Sequence, residues 1–238
     1  MIKVAERVVM LSGATKGIGQ AIAARLHADG YRLSLGARNP GHLDASLRAD
    51  SERVISTTYD ALSGREAAQA WVDATIHKFG KIDALINNAG MQIRTGFETA
   101  SEGEFDAIMT VNAKAPFMLS QAAWPHLKAA GQSKVVNIVS LSGVRVKPTT
   151  SALYAMTKHA TLAMSHSLRQ LGWNDGIRVT AVLPGAVVTP MTTDKMDLPL
   201  DKMMAPESIA DAVAYVMLQP QNASVSMLPV NSVSEQAY

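Results

Sequence analysis

Short runs of aliphatic and β-branched residues alternate along the chain with longer stretches whose apolar residues recur at helical spacing. This alternation is typical of βαβ units built around a parallel sheet. The short runs predict seven strands, at 7–12, 32–35, 54–59, 84–87, 135–140, 178–182 and 225–230. The longer stretches predict helices near 17–29, 64–79, 112–130, 151–173 and 206–218, and Gly30 and Gly80 are the expected stops of the first two.

These elements predict an α/β fold, a single-domain, Rossmann-type, doubly wound parallel sheet of about seven strands with helices on both faces. Neither a linker nor a change of composition divides the chain, so one domain is expected over residues 1–238. In open sheets of this kind, ligands bind beyond the carboxyl ends of the strands. The loops that follow Leu11, Leu35, Ile86, Ser140 and Leu183 are therefore expected to face one crevice.

A glycine-rich turn follows the first predicted strand and opens the first helix. Glycine permits a tight turn and lets backbone N–H groups approach a pyrophosphate, while the helix N-terminus offers the positive end of its dipole. An ordinary turn is the alternative interpretation, but the place of the motif directly after an apolar strand favours a dinucleotide site. The candidate cofactor-binding residues of this turn are Gly13, Thr15, Lys16, Gly17, Ile18 and Gly19.

The end of the second strand indicates which dinucleotide is preferred. An NAD enzyme normally has an acidic residue here, about 20 residues after the glycine motif, to bind the ribose 2′-hydroxyl. This chain has Ala37 followed by Arg38. Arg38 can hold a 2′-phosphate through a charge-assisted contact, and Lys16 adds a second positive charge. NADP(H) is therefore predicted over NAD(H), and the alternative is that both side chains are solvated surface charges.

Candidate catalytic groups lie in and before the fourth helix. Tyr154 and Lys158 are four residues apart, so both fall on one helical face. A phenol is a poor base near neutral pH, and a nearby ammonium together with an oxidised nicotinamide is expected to lower its pKa. Ser140 and Ser142 bring hydroxyls to the carboxyl edge of the sheet, where one can polarise a substrate oxygen. Alone, the Tyr154–Lys158 spacing is more typical of a core tyrosine beside a surface lysine, and the neighbouring motifs are what favour a catalytic pair.

Composition and charge exclude several classes of function. The 22 basic and 20 acidic side chains leave a net charge of +2 that is spread along the sequence, which disfavours nucleic acid as a partner. The opening residues lack an apolar run long enough for a signal peptide or a membrane span, so a cytoplasmic protein is expected. The chain has no cysteine, and its six histidines form no ligand cluster, so no bound metal is expected.

Taken in order, these motifs resemble the classical short-chain dehydrogenase/reductase family along essentially the whole chain. Residues 12–19 resemble its glycine motif and residues 87–90 its Asn-Asn-Ala-Gly motif. Two positions depart from the usual pattern, because Ser12 stands where threonine is common and Ala61 where valine is common. The remaining matches are Asp60, Asn112, Ser140, Tyr154, Lys158, Pro184, Gly185 and Thr189.

The resemblance implies that hydride passes between a nicotinamide and a carbonyl or secondary alcohol, with Tyr154 as the acid/base. It further implies that Ser140 holds the substrate oxygen, Lys158 binds the nicotinamide ribose, Asn112 positions a water that relays protons to the lysine, and Thr189 holds the carboxamide. The catalytic set is then Asn112, Ser140, Tyr154 and Lys158. The implied cofactor contacts beyond the glycine turn and Arg38 are Asp60, Ala61, Asn88, Ala89, Gly90, Tyr154, Lys158, Pro184, Gly185, Val187 and Thr189.

The substrate is less well defined by the sequence. The resemblance places a substrate loop at about 190–205, and its methionines fit an adaptable lid or core packing equally well. Arg94 and Arg145 are candidate substrate contacts, although arginines in such positions are more often solvated. A small or medium carbonyl compound is expected, for example a sugar-derived or an apolar ketone. A homodimer or homotetramer, built on the helices that start near Asn112 and Ser151, is a further implication of the resemblance.

Two narrower alternatives remain. One is a 3-oxoacyl-carrier-protein reductase, although the modest net charge of +2 gives little reason to expect a docking surface for an acidic carrier. The other is a non-catalytic NADP(H)-binding sensor module, which the complete set of four catalytic residues disfavours.

Overall fold

The computed structural model of the chain describes residues 4–146, 152–193 and 198–234. Seven strands in this part of the chain form one sheet: β1 (Val8–Ser12), β2 (Arg32–Ala37), β3 (Val54–Thr58), β4 (Ala84–Asn87), β5 (Ser133–Ile138), β6 (Ile177–Pro184) and β7 (Met227–Val230). Their order is β3-β2-β1-β4-β5-β6-β7, and every neighbouring pair is parallel. The predicted Rossmann-type doubly wound sheet is confirmed.

Seven α-helices connect the strands within the described residues: α1 (Gly17–Ala28), α2 (Ala45–Ala49), α3 (Gly64–Phe79), α4 (Glu102–Met109), α5 (Ala115–Ala130), α6 (Ala152–Gly172) and α7 (Pro206–Leu218). Short 3-10 turns lie at 4–6, 40–42, 141–143 and 200–202. Helices α3 and α7 have the bounds that the sequence predicted. Gly80 ends α3 in the left-handed region, at a φ of 75°, as expected of a glycine stop.

The two faces of the sheet are covered by different helices because successive side chains of a strand point to opposite sides. Val9 and Leu11 of β1 lie in the same core cluster as residues of α1 and α7. Met10, between them, packs in a second cluster with residues of α3 and α5. Burial on both faces explains why the strands read as continuous apolar runs rather than as alternating ones.

The sheet has a switch point between β1 and β4, where the strand order reverses. Val9 pairs with Ala84 and Leu11 with Ile86 across it. From β1 the chain winds outward to β2 and β3, and from β4 it winds the other way. A crevice at the carboxyl ends of strands at such a point is the usual ligand site of open α/β sheets.

The largest departure from the predicted elements lies before α5. The sequence predicted one helix over 112–130, but helix begins at Glu102 and passes through a π-helical turn, Thr110–Lys114, before α5 starts at Ala115. The start of α4 had a readable signal, because Ser101 and Glu104 form a capping box. The π-turn has no such signal, because it arises from one extra residue inserted into an otherwise regular helix and no residue type marks that insertion.

The strand bounds also shift around one catalytic candidate. Strand β5 ends at Ile138, two residues before the predicted end, so Ser140 lies in the loop that follows it. In the part of the chain that the structure describes, no helix has both the length and the apolar character that crossing a membrane requires.

Candidate active site

The glycine-rich turn has the backbone shape that a phosphate cradle requires. Gly13 and Gly17 have φ values of 72° and 54°, in the left-handed region that side chains rarely adopt. Helix α1 begins at Gly17, and Lys16 at its N-cap supplies no side-chain cap. The first-turn amides are therefore left to bind an anion, which is a fit for a pyrophosphate.

This turn is held in place by the loop after β4. The Ser12 hydroxyl accepts hydrogen bonds from the backbone N–H groups of Asn88 and Ala89, both at 3.0 Å. In return, the Asn88 side-chain amide donates to the carbonyl oxygens of Ser12 and Gly13, at 2.9 and 3.1 Å. A Cβ at Gly19 would lie 2.1 Å from the Gly13 oxygen. Gly19 thus keeps the helix close to the turn.

The loop after β6 reaches the same turn from the other side. A Cβ placed on Gly17 would lie 3.1 Å from the Thr189 methyl group, so the two candidate cofactor residues are neighbours. Pro184 is the last residue of β6 and Gly185 follows it. Val187 forms an isolated parallel bridge with Met204, and the Val188 amide donates to the Met204 carbonyl at 2.9 Å.

The candidate residues on the adenine side make fewer contacts. Lys16 and Arg38 are exposed, and no ion pair is found for either within the described ranges. The Asp60 carboxylate accepts from the Leu62 amide at 3.0 Å and so shapes its own turn, with Ala61 buried beside it. Both cationic side chains are thus open to solvent.

The three reactive groups meet at the carboxyl edge of β5. The half-buried Tyr154 interacts through its hydroxyl with that of Ser140. The ammonium of Lys158 lies 5.5 Å from the centre of the Tyr154 ring and donates to the Ile138 carbonyl at 3.0 Å. The Ser142 amide donates to Ser140 Oγ at 3.1 Å, which leaves the Ser140 hydroxyl as the group aimed at the tyrosine. This geometry favours Ser140 over its rival Ser142.

Burial dominates the acid–base properties of this pair. It raises the pKa of the Tyr154 phenol to about 12, a rise that the Ser140 hydrogen bond opposes, and it lowers the pKa of the Lys158 ammonium to about 8. Burial disfavours the charged form of each group, which is the phenolate for Tyr154 and the ammonium for Lys158. The expectation that the lysine and an oxidised nicotinamide together lower the phenol pKa concerns the cofactor-bound site and stays a prediction. Near neutral pH the phenol is protonated and can donate.

Asn112 lies in the π-turn, and its side-chain hydrogen bonds are taken up by protein. Its Oδ1 accepts from the Met91 amide at 2.8 Å, and its Nδ2 donates to the Met91 carbonyl at 2.8 Å and to Thr157 Oγ1 at 3.1 Å. A Cβ on Gly90 would lie 3.5 Å from Asn112 Oδ1 and 3.9 Å from Lys158 Nζ. The asparagine therefore ties the loop after β4 to α6, beside the lysine.

The chain matches a known protein family over most of its length. The sequence profile of the short chain dehydrogenase family matches residues 7–198. The chain belongs to this family. The resemblance drawn from its motifs is confirmed.

Relatives of this short-chain dehydrogenase include proteins of different lengths. Agropine synthesis reductase from Rhizobium rhizogenes is 36% identical over 230 residues, which are 96% of this chain and 53% of that protein. The chain thus spans about half the length of that relative. An uncharacterized oxidoreductase from Staphylococcus epidermidis is 32% identical over 238 residues, covering 98% of this chain and 100% of that protein.

Solved structures show the same fold over nearly the whole chain. An alcohol dehydrogenase from the archaeon Thermococcus sibiricus, complexed with 5-hydroxy-NADP, superposes with a TM-score of 0.87 at 29% identity, covering 98% of this chain and 99% of that one. A 3-ketoacyl-(acyl-carrier-protein) reductase from Brucella melitensis, complexed with NADH, has a TM-score of 0.87 at 26% identity, covering 95% and 97%.

Sequence reasoning missed a ladder of hydroxyls on the buried face of α6. Thr157 donates to the Tyr154 carbonyl, Thr161 shares its one hydroxyl proton between the carbonyls of Asn112 and Thr157, and Ser165 donates to the Thr161 carbonyl, all at 2.7–2.8 Å. The signal was present as polar residues four apart on the helical face next to Lys158. The ladder connects the catalytic helix to the π-turn.

Proposed function

We propose that this short-chain dehydrogenase uses NADP(H) to transfer a hydride between the nicotinamide and a carbonyl carbon or secondary alcohol, with Tyr154 as the acid/base. The observation that carries the proposal is the meeting of Ser140, Tyr154 and Lys158 at the carboxyl edge of β5. When bound, the nicotinamide supplies the hydride, and in its oxidised form a positive charge that favours the phenolate.

The roles of the protein's own groups follow from their protonation. A phenol whose pKa lies near 12 is protonated at neutral pH and can give its proton to a substrate oxygen as negative charge develops there. Ser140, bonded to that phenol, holds the same oxygen. Lys158 binds the ribose hydroxyls, and Asn112 fixes the Met91 loop beside it. We assign catalysis to these four residues.

The preference for NADP(H) rests on charge at the end of β2. Ala37 leaves no carboxylate to repel a 2′-phosphate, and the exposed Arg38 and Lys16 can reach it. The structural relative complexed with 5-hydroxy-NADP supports this choice, and the one complexed with NADH marks NAD(H) as the competing cofactor. The adenine side is completed by Asp60 and Ala61, and the nicotinamide side by Gly185, Val187 and Thr189.

The substrate side is proposed at a coarser level. We assign the substrate loop to about 190–205, within one cofactor-binding domain that spans residues 1–238. The half-buried Met204 packs against the main core, whereas Met196 lies outside the described residues. We expect a small carbonyl substrate, a homodimer or homotetramer, and a cytoplasmic location.

The test begins with cofactor binding. Energy transfer from tryptophan to the reduced nicotinamide is followed while NADPH or NADH is added, and the same samples are then given a panel of ketones and sugar-derived carbonyls. NADPH is expected to bind more tightly, and Arg38→Asp to reverse that preference. Tyr154→Phe, which keeps the ring, is expected to bind NADPH normally and to lose about 10²–10⁴-fold in turnover. Full turnover by Tyr154→Phe would falsify the assigned chemistry.

A 3-oxoacyl-carrier-protein reductase is a second candidate because one structural relative bears that name. Reduction of an acetoacetyl thioester faster than of any free ketone would support it. A non-catalytic sensor is the third candidate, and tight NADPH binding with no turnover across the panel would favour it.

A further inference from the structure

A buried chain of hydrogen bonds fixes which way the Asn87 amide points. Ser165 gives its only hydroxyl proton to the Thr161 carbonyl at 2.7 Å, so it must accept from the Asn137 Nδ2 at 2.8 Å. The Asn137 oxygen then faces Asn87, whose Nδ2 donates to it at 2.8 Å and to Ser120 Oγ at 3.1 Å. The Asn87 oxygen is therefore turned away from this chain.

That oxygen is buried and has no partner among the described protein groups. Asn87 lines a small cavity whose wall also includes Asn112, Ile138, Lys158 and Thr161. The cavity volume is about 10 Å³. A buried water requires roughly 10–15 Å³ of such space and two to four polar partners. The cavity has room for one water molecule.

Lys158, which lines the same cavity, has N–H donors that lack acceptors within the described ranges. An ammonium has three donors, and the hydrogen bond to the Ile138 carbonyl uses one of them. Lys158 is only 6% exposed, so bulk water is nearly excluded from the other two. A buried cation that lacks hydrogen-bond partners is strongly disfavoured. The unpartnered Asn87 oxygen thus lines the same cavity as the Lys158 ammonium, which has more N–H donors than acceptors among the described residues.

We propose that one buried water bridges Asn87 Oδ1 and Lys158 Nζ, which makes Asn87 a positioning residue for the lysine. The water accepts from the ammonium and donates to the amide oxygen. The inference rests on the proposed function only for the catalytic role of Lys158, because the water can bind whether or not the protein is catalytic. Through Asn87, the site is joined to Ser120 on α5 and to Asn137 on β5.

The electrostatic surroundings of Lys158 are simple, which makes the proposal measurable. Tyr154 is the titratable group facing it from its own helix, and Tyr59, after β3, is the only other titratable group lining the cavity within the described residues. Burial raises the pKa of both phenols to about 12, so neither is charged near neutral pH. The bridging water is then the main polar partner that a substitution at Asn87 can remove.

The first measurement is a crystal structure of the wild-type protein at a resolution that places ordered waters. We expect a water within about 3.2 Å of both Asn87 Oδ1 and Lys158 Nζ. A cavity with no ordered water, or a water that touches only one of the two atoms, overturns the proposal.

The second measurement is the pKa of Lys158, from NMR of lysine-labelled protein with its signal assigned from a Lys158→Met spectrum. Asn87→Leu removes the acceptor and is expected to lower that pKa by about one unit, whereas Asn87→Asp places a carboxylate across the water and is expected to raise it. Ser120→Ala is the matched control, because it removes a partner of the Asn87 nitrogen and leaves the oxygen in place. Thermal melting confirms that each variant is folded.

The outcomes separate this inference from the proposed function. An unchanged Lys158 pKa in Asn87→Leu overturns the bridge even if the enzyme reduces ketones as expected. Conversely, full activity of Tyr154→Phe removes the proposed chemistry and leaves a bridging water, seen by crystallography, untouched. The Lys158 pKa and the crystal structure are both obtained without substrate, so neither depends on turnover.

Discussion

The glycine turn and the Ser140 end of the crevice are built by different means. At the glycine turn, Ser12 and Asn88 bond to backbone groups of each other's loops, and glycines set the distances between segments. At the other end, Ser140 in the loop after β5 and the Tyr154–Lys158 pair on α6 are brought together by their side chains. A site fixed by backbone contacts tolerates few substitutions. A site formed by side chains can change its residues while the fold stays the same, so one fold can serve many substrates.

Gly19→Ala tests the glycine turn most severely. The new Cβ would lie 2.1 Å from the Gly13 oxygen and 2.4 Å from Asn88 Nδ2, so the turn must move. We expect a loss of about 3 kcal/mol in the free energy of unfolding, measured by urea denaturation, together with the loss of NADPH binding. Unaltered binding and stability would show that the turn adapts and that the contrast is overstated.

Ser12→Ala tests the hydrogen bonds that join the two loops. It leaves the backbone N–H groups of Asn88 and Ala89 without their acceptor, at an expected cost of about 1–3 kcal/mol in unfolding free energy. Ser12→Thr keeps the hydroxyl and serves as the matched control, with stability near that of the wild type. If the two variants were equally stable, the hydroxyl would not be what joins the loops.

The amino edge of the sheet provides a reference outside the crevice. Burial lowers the pKa of Lys134 to about 8, with Arg7 and Arg178 adding repulsion, from an ordinary value of 10.5. The unfolded chain then binds more protons than the folded one, so stability is expected to rise as the pH increases from about 8 to 10. Lys158 contributes in the same direction.

Lys134→Met is expected to remove part of that pH dependence and to leave turnover unchanged, as judged from urea denaturation at several pH values and from the rate of ketone reduction. The Lys134 ammonium donates to the Gln219 carbonyl at 2.6 Å at the amino end of β5, whereas Ser140 follows the carboxyl end of that strand. A fall in turnover would instead couple the two edges of the sheet.

The smallest expected effect is that of Gly103→Ala in α4. A Cβ there meets nothing within 4 Å among the described residues, so only the backbone entropy changes. We expect a gain of about 0.5 kcal/mol in stability, read from the urea midpoint. Destabilisation would mean that glycine at this position has a role outside the helix itself.

The order of elements and the place of the crevice could be predicted because apolar periodicity reports burial directly. Helices α3 and α7 have the predicted bounds, and Gly80 stops α3 as expected. The direction of the Tyr154 pKa could not be predicted, since it depends on how deeply the phenol is enclosed. Likewise, the orphaned oxygen of Asn87 follows from partners that are distant in sequence, such as Asn137.

The π-turn at Thr110–Lys114 makes the length of this stretch a constraint in its own right. Removing one residue would close it into regular α-helix and rotate the preceding helix by about 100° relative to α5. Asn112 would then face away from Met91 and Thr157 even though every remaining residue was unchanged. In alignments and engineered chimaeras of this chain, a one-residue gap here is therefore expected to be more damaging than a substitution.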